Sequence, residues 1–168
     1  MNKVIKNTLI ILFLGFYSAC LWAKNFRIEV LVFHQNSPTS EVFQQAETEL
    51  TWPKTIQQDF RDNILLQNAY FSLIANKAYQ PVWYKSWVQS VASNRVSDAM
   101  PIKQQSNGDL LNGFVRVQRG HYLHLLIDLE YSPNNPIYRI NEKRRIKLNE
   151  IHYFDHPKFG VIATVKPL

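Results

Sequence analysis

The sequence predicts an α+β protein with a largely antiparallel β-sheet and helix packed on one face. Three observations carry that expectation. Apolar residues alternate with period two near both ends of the chain, which is the spacing of strands. One central stretch, residues 59–77, instead spaces its apolar residues as a helix does. The last four strand-like stretches are joined by short, turn-rich links, which favours antiparallel neighbours.

The first residues read as an export signal. Lys3 and Lys6 supply a positive start, and "TLIILFLGFYSACLWA" (8–23) supplies an apolar core ending in small residues. The run is short for a membrane span. Cleavage after Ala23 predicts a periplasmic chain beginning "KNFRIEV" and removes Cys20, the only cysteine. "YSAC" (17–20) leaves lipid anchoring at Cys20 as the alternative, although Tyr17 stands where lipoprotein sites favour Leu. Residues 24–168 are then expected to form one domain.

"FRIEVLVFH" (26–34) reads as a strand with Phe26, Ile28, Val30 and Val32 on one face. Leu31 and Phe33 make its other face apolar, as in a central strand. "EVFQQAETEL" (41–50) is a short possible helix that Trp52-Pro53 ends. In the helix predicted for 59–77, Leu66, Tyr70, Leu73, Ile74 and Lys77 share helical spacing, with no Pro or Gly to interrupt it. "AYQPVWYKSWVQSV" (78–91) favours a strand through its Tyr, Val and Trp; a helix beginning after Pro81 is the alternative. Residues 92–109 read as a surface loop.

"FVRVQ" (114–118) and "HYLHLLIDLEY" (121–131) predict a hairpin across Arg119-Gly120, with His121, Leu123, Leu125, Ile127, Leu129 and Tyr131 facing the core. "SPNNP" (132–136) is a turn. Residues 137–154 return as one long strand, and "FGVIATVKP" (159–167) is the last. Within the long strand, Ile146 and Leu148 have one parity while Ile151 and Tyr153 have the other. A regular strand would send these pairs to opposite faces, and a β-bulge is predicted near Asn149-Glu150 to bring them to one face. The glycines after residue 107 are expected near turns.

The net charge is +6, or about +4 once Lys3 and Lys6 leave, a mild excess typical of a soluble surface. Nucleic acid is not an expected partner outside the cytoplasm. No G-x-S-x-G, H-E-x-x-H or glycine-rich phosphate loop is present, and no cysteine nucleophile remains after cleavage. An enzyme is therefore not expected.

Three groups of residues offer binding chemistry. In "YQPVWYKSW", Tyr79, Trp83 and Trp87 share a face by parity, with Tyr84 on the other. Trp rings could stack on glycan rings, or simply pack under the helix. In "RINEKRRIK" (139–147), Arg144 and Arg145 must point to opposite faces of a strand. One could grip a carboxylate while the other pairs with Glu142, Glu150 or Asp128; a solvated, charged edge strand is the alternative. In "EIHYFDHPKFGV" (150–161), His152, Asp155 and His156 offer metal-ligand types. On a strand, however, residues four apart are separated by ~13 Å. No joint metal site is expected unless a tight turn shortens that distance. The competing reading has Asp155 capping the turn, with Pro157 and Gly160 shaping it.

"FRIEVLVFHQ", "WVQ", "GHYLHLLIDLEY" and above all "RRIKLNEIHYFDHPKFGVIATVKP" resemble the CsiV family, periplasmic peptidoglycan-binding proteins of cell-shape integrity. The resemblance implies a non-catalytic accessory factor of cell-wall synthesis that binds peptidoglycan. It also implies cooperation with an outer-membrane lipoprotein that activates a bifunctional penicillin-binding protein. It implies no cofactor and no catalytic residue.

Overall fold

The apolar run near the start of the chain becomes β1 (Lys24–Gln35), the middle strand of a five-stranded antiparallel sheet. The computed structural model describes residues 23–36, 49–57, 59–106, 108–133 and 136–168. Residues 1–22 of the expected export signal (1–23), most of the possible helix 41–50 and part of the 132–136 turn lie outside the described residues.

The first sheet runs β2 (Phe60–Arg61), β3 (Tyr79–Val91), β1, β10 (Phe159–Pro167), β9 (Ile151–His156). In the second sheet, β6 (Asp109–Arg119), β7 (Leu123–Pro133) and β8 (Tyr138–Ile146) form a meander. The other edge of β6 pairs with β4 (Arg95–Val96) and β5 (Met100–Ser106). The two sheets face each other across one apolar core. It draws Ile28, Val30, Trp87, Phe154 and Val161 from the first sheet and Ile102, Val115, Leu125, Ile127 and Leu129 from the second.

The α+β expectation is overturned. The described residues contain ten strands and a single helix, α1 (Gln67–Ala75), nine residues long. The core is closed by a second sheet, not by a helical layer. The helical spacing in 59–77 is real only for its middle. Leu66 and Leu73 are buried, while Ile74 and Lys77 are exposed, and Phe60–Arg61 pairs with β3 instead. The stretch 92–109 is no loop either, because it supplies β4 and β5. Its sparse alternation reflects an edge position, where Lys103 to Ser106 stand in solvent.

A buried carboxylate holds α1 against the outer face of the first sheet. The residue at the helix N-cap is Leu66, which has no side-chain acceptor. Glu29, fully buried on β1, supplies one from outside. It accepts the backbone N–H groups of Ile64 (3.2 Å), Leu65 (2.9 Å) and Leu66 (3.0 Å), and the Tyr84 hydroxyl at 2.5 Å. An anion is favoured at that place because the orphan N–H groups of a helix entrance point at it. Leu31 and Phe33 of β1 pack with Leu66 and Leu73 beneath the helix.

β3 is a strand throughout, and Pro81 sits within it. A register shift opposite Val32/Phe33 makes Val82 the extra residue of a bulge. The bulge reverses side-chain parity, so Tyr79 lies with Tyr84 on the helix side while Trp83 and Trp87 enter the core. The expected common face of Tyr79, Trp83 and Trp87 is therefore wrong.

The single long strand expected over 137–154 is also corrected. β8 stays in the second sheet and β9 joins the first. The chain crosses at 147–150, where Asn149 takes a left-handed φ of 62° and its N–H donates to Val165 O at 2.9 Å. The apolar residues at odd positions after Asn149 thus mark the outward face of β9 in the other sheet, not a bulge. Phe154 is the core residue of β9, while Ile151 and Tyr153 face outward.

Two glycines lie inside strands, Gly113 away from any turn and Gly160 just after the Pro157-Lys158 turn. Gly113 has a φ of 140°, and a Cβ there would fall 2.1 Å from Asp128 O on β7. Gly160 lies under the Phe33 and Tyr153 rings.

Replacing Glu29 with Ala leaves the Leu66 N–H and the Tyr84 hydroxyl without an acceptor. The expected loss is about 3 kcal/mol of unfolding free energy in urea titration. Glu29→Gln, which keeps one acceptor, is expected to lose less.

Candidate functional site

One end of the sandwich gathers most of its exposed aromatic and hydrogen-bonding chemistry. β1 and β9 end there, and β3, β6, β8 and β10 begin there. Pro157 and Lys158 form the two-residue connection of the β9–β10 hairpin, with His156 paired to Phe159.

On the outer face, Gln35, Tyr153 and Asp155 form a hydrogen-bonded chain. The Tyr153 hydroxyl donates to Asp155 Oδ1 at 2.6 Å. Gln35 Nε2 donates to the Tyr153 oxygen and to Asp155 Oδ1, both at 3.2 Å. Burial, and then the bond to Asp155, push the Tyr153 pKa upward, so the phenol stays protonated. The Tyr153 ring stacks on Phe33 with centroids 6.1 Å apart and planes at 13°, and Tyr79 meets the Phe33 ring edge-on. Tyr153 nevertheless remains 43% exposed. The stack needs Gly160. A Cβ at that position would lie 2.5 Å from Phe33 Cζ and 2.9 Å from Tyr153 Cε2.

On the inner face of the same end, His34, Phe159 and His156 form a row across β1, β10 and β9. Tyr131 of the second sheet packs against His34 and Phe159 at 5.6 and 5.5 Å, and Tyr138 against His156 at 5.4 Å. Burial lowers the pKa of both histidines, although Asp109 opposes the shift at His34 and Asp155 opposes it at His156. Both are neutral imidazoles near pH 7. Tyr131 donates to Asp109 Oδ2 at 2.9 Å, and burial followed by that bond raises its pKa. Beside this row, Gln80, Pro81, Val82, Gln104, Ser106 and Asp109 line a cleft of ≈ 130 Å³ between the sheets.

The residues singled out in the sequence do not form one site. Trp83 and Trp87 are 7% and 0% exposed, in the core. The Trp87 indole N–H donates to Gln89 Oε1 at 3.1 Å, so its polar edge is satisfied internally. Neither ring can serve as a sugar platform. Tyr84 is held by Glu29 and stacks on Tyr70 at 5.0 Å, which makes it a support for α1. Burial and the Glu29 bond raise its pKa.

Arg144 and Arg145 do point to opposite faces. Arg144 bridges the sheets: it bonds Glu142 at 2.6 Å, donates to Tyr153 O, and places its guanidinium 4.6 Å from the Phe154 ring centroid. Arg145 faces out and covers the Tyr122 ring at 3.3 Å.

His152 and His156 share the inner face of β9 but stand on either side of Phe154. His152 Nε2 lies 3.2 Å from Lys147 N and 3.1 Å from Lys147 O. No group of three metal-binding side chains occurs among the described residues. The turn is capped by His156, whose Nδ1 accepts the Lys158 N–H at 3.2 Å. Asp155, the expected cap, is turned to Tyr153 and Gln35. Of the residues singled out in the sequence, Tyr79, Asp155 and His156 belong to this end. Gln35 and Tyr153 were missed. The available signal was the i, i+2 spacing of Tyr153 and Asp155, which places them on one face of a strand.

The fold and this end define an all-β sandwich whose exposed chemistry is stacking and hydrogen bonding. The chain belongs to the CsiV family: residues 54–168 match the family described as "Peptidoglycan-binding protein, CsiV". No curated protein and no solved structure matches the chain. A peptidoglycan ligand places the work of such a protein in the cell envelope, and no helix among the described residues is long and apolar enough to cross a membrane.

The two half-buried imidazoles set a pH dependence. A histidine whose folded pKa is lowered contributes stability that is complete above the unfolded value of 6.5. That contribution is lost as pH falls from there toward the folded pKa, because the unfolded chain then binds more protons. The urea midpoint is expected to drop between about pH 7 and pH 5, with a smaller drop in a His34→Asn/His156→Asn variant.

Proposed function

We propose that this protein is a non-enzymatic periplasmic accessory factor of cell-wall synthesis and cell-shape maintenance, and that it binds peptidoglycan with the Gln35–Tyr153–Asp155 end of the sandwich. Membership of a peptidoglycan-binding family carries the ligand. The observation that carries the site is a half-exposed Tyr153 ring, locked by Phe33, beside an amide and a carboxylate. Aromatic faces stack on the C–H faces of sugar rings. Gln35 and Asp155 offer donors and acceptors suited to hydroxyl and N-acetyl groups. The Phe33 stack and the hydrogen-bond chain hold the side chains in place before a ligand arrives, which lowers the entropy cost of binding. On this reading residues 1–23 are the export signal, cleaved after Ala23, and 24–168 act as one domain.

A second reading has the chain dock a lipoprotein regulator of a penicillin-binding protein without touching the wall. The exposed apolar side of α1 favours it: Phe71 is 62% exposed, and Ile64 and Ile74 stand in solvent close by. Co-purification of such a lipoprotein without sedimentation on sacculi would support this alternative.

Purified sacculi are expected to pull down the protein. Asp155 is exposed, so Asp155→Ala is expected to leave the unfolding midpoint nearly unchanged. Its affinity for sacculi should fall roughly three- to tenfold, the effect of losing one or two exposed hydrogen bonds. Unchanged affinity in Asp155→Ala and in Tyr153→Ala would move the wall-binding surface elsewhere.

A further inference from the structure

The outer face of the second sheet separates its charges. At one end Arg139 takes up both acids of the face: its Nε and Nη2 bond Asp128 at 2.8 and 2.9 Å, and Nη1 lies 3.9 Å from Glu130. Farther along the same strands the paired positions carry the cations Arg116, Lys143 and Arg145 and no acid. His124 of β7 pairs in register with Arg145 of β8, while Arg116 and Lys143 flank Leu126 in the next row. Among the described residues, none of these four has a carboxylate within salt-bridge distance.

Arg145 is held ready. Its guanidinium lies 3.3 Å over the exposed Tyr122 ring. Stacking restrains the side chain and leaves the N–H edges free to make two parallel hydrogen bonds. Paired residues in neighbouring strands stand about 5 Å apart, and residues two along a strand about 7 Å. His124 and Lys143 are therefore close enough to act on the same anionic group or its neighbour. Arg144, the adjacent arginine, has no such freedom, being committed to Glu142 and β9.

We propose that Arg145, stacked on Tyr122 and flanked by Lys143 and His124, is a carboxylate-binding site for the stem peptides of peptidoglycan. This rests on the wall-binding reading, which supplies a ligand carrying both sugars and peptide carboxylates. The two surfaces then divide the work. The Tyr153 end meets the sugars, and the Arg145 face of the other sheet meets the peptides.

The full exported chain is tested against three probes: intact sacculi, glycan strands stripped of peptide by an amidase with the freed lactyl carboxylates then methyl-esterified, and phosphatidylglycerol vesicles. The wild type is expected to bind intact sacculi more tightly than stripped glycan, with an advantage that shrinks as salt rises. The Arg145→Gln/Lys143→Gln variant should lose roughly tenfold on intact sacculi, as expected for a lost charge-assisted contact, and nothing on stripped glycan. Both side chains are exposed, so its thermal melt should match the wild type. Tyr122→Leu, which keeps every charge but removes the stack, should lose part of the same advantage.

Wild-type affinity of the double variant for intact sacculi would overturn the inference and leave the wall-binding reading standing. Equal affinity of the wild type for stripped and intact wall would overturn it too. So would binding to vesicles that the double variant abolishes while sacculus binding persists, because the face would then read lipid phosphate. Failure of the wild type to bind sacculi at all would remove both.

Discussion

Glu29 is the interaction on which the outer half of this structure depends. A carboxylate sealed from water is costly unless its oxygens are filled with hydrogen bonds. Here three backbone N–H groups and a phenol fill them. In return, the residues entering α1 are tied to the middle strand of the first sheet. The helix is nine residues long and its N-cap residue is a leucine. So short a helix is marginal in isolation. Glu29 and the Leu31–Phe33–Leu66–Leu73 cluster provide what propensity does not.

The same strand organises the proposed glycan end. β1 alternates between core residues on its inner face and Glu29, Leu31 and Phe33 on its outer face. It finishes with Gln35, which reaches Tyr153 and Asp155. Phe33 is at once a support for α1 and the floor on which Tyr153 stacks. Gly160 is required where those two rings meet, since any side chain would enter them. The stretches at the two ends of the chain that resemble the CsiV family therefore meet in one surface. Their local order has a physical reason in that shared surface.

The strand assignments legible in the sequence were those with strong alternation, such as β1 and β7. The errors have a common origin. Segments with weak or shifting patterns, β4 and β5 among them, draw their stability from pairing with β6, which no local window contains. The bulge at Val82 reverses parity, so a parity argument carried through it groups Tyr79 with Trp83 on the wrong face. At Asn149 the chain changes sheet while even-numbered residues stay inward, Ile146 before it and Phe154 after it. Invoking a bulge there puts Ile151 and Tyr153 on the wrong face.

The sequence by itself determined the family, the antiparallel hairpins of the last third, and the opposite facing of Arg144 and Arg145, because each depends on residue order and period-two geometry alone. Only the tertiary structure decided that a second sheet, rather than helix, closes the core. It also decided that Trp83 and Trp87 are buried, that His156 caps the turn while Asp155 turns to Tyr153, and that Arg145 is the arginine left free. These outcomes depend on which strands become neighbours across more than a hundred residues of chain, as Gln35 and Asp155 do. Partner, burial and charge balance exist only after that pairing is made.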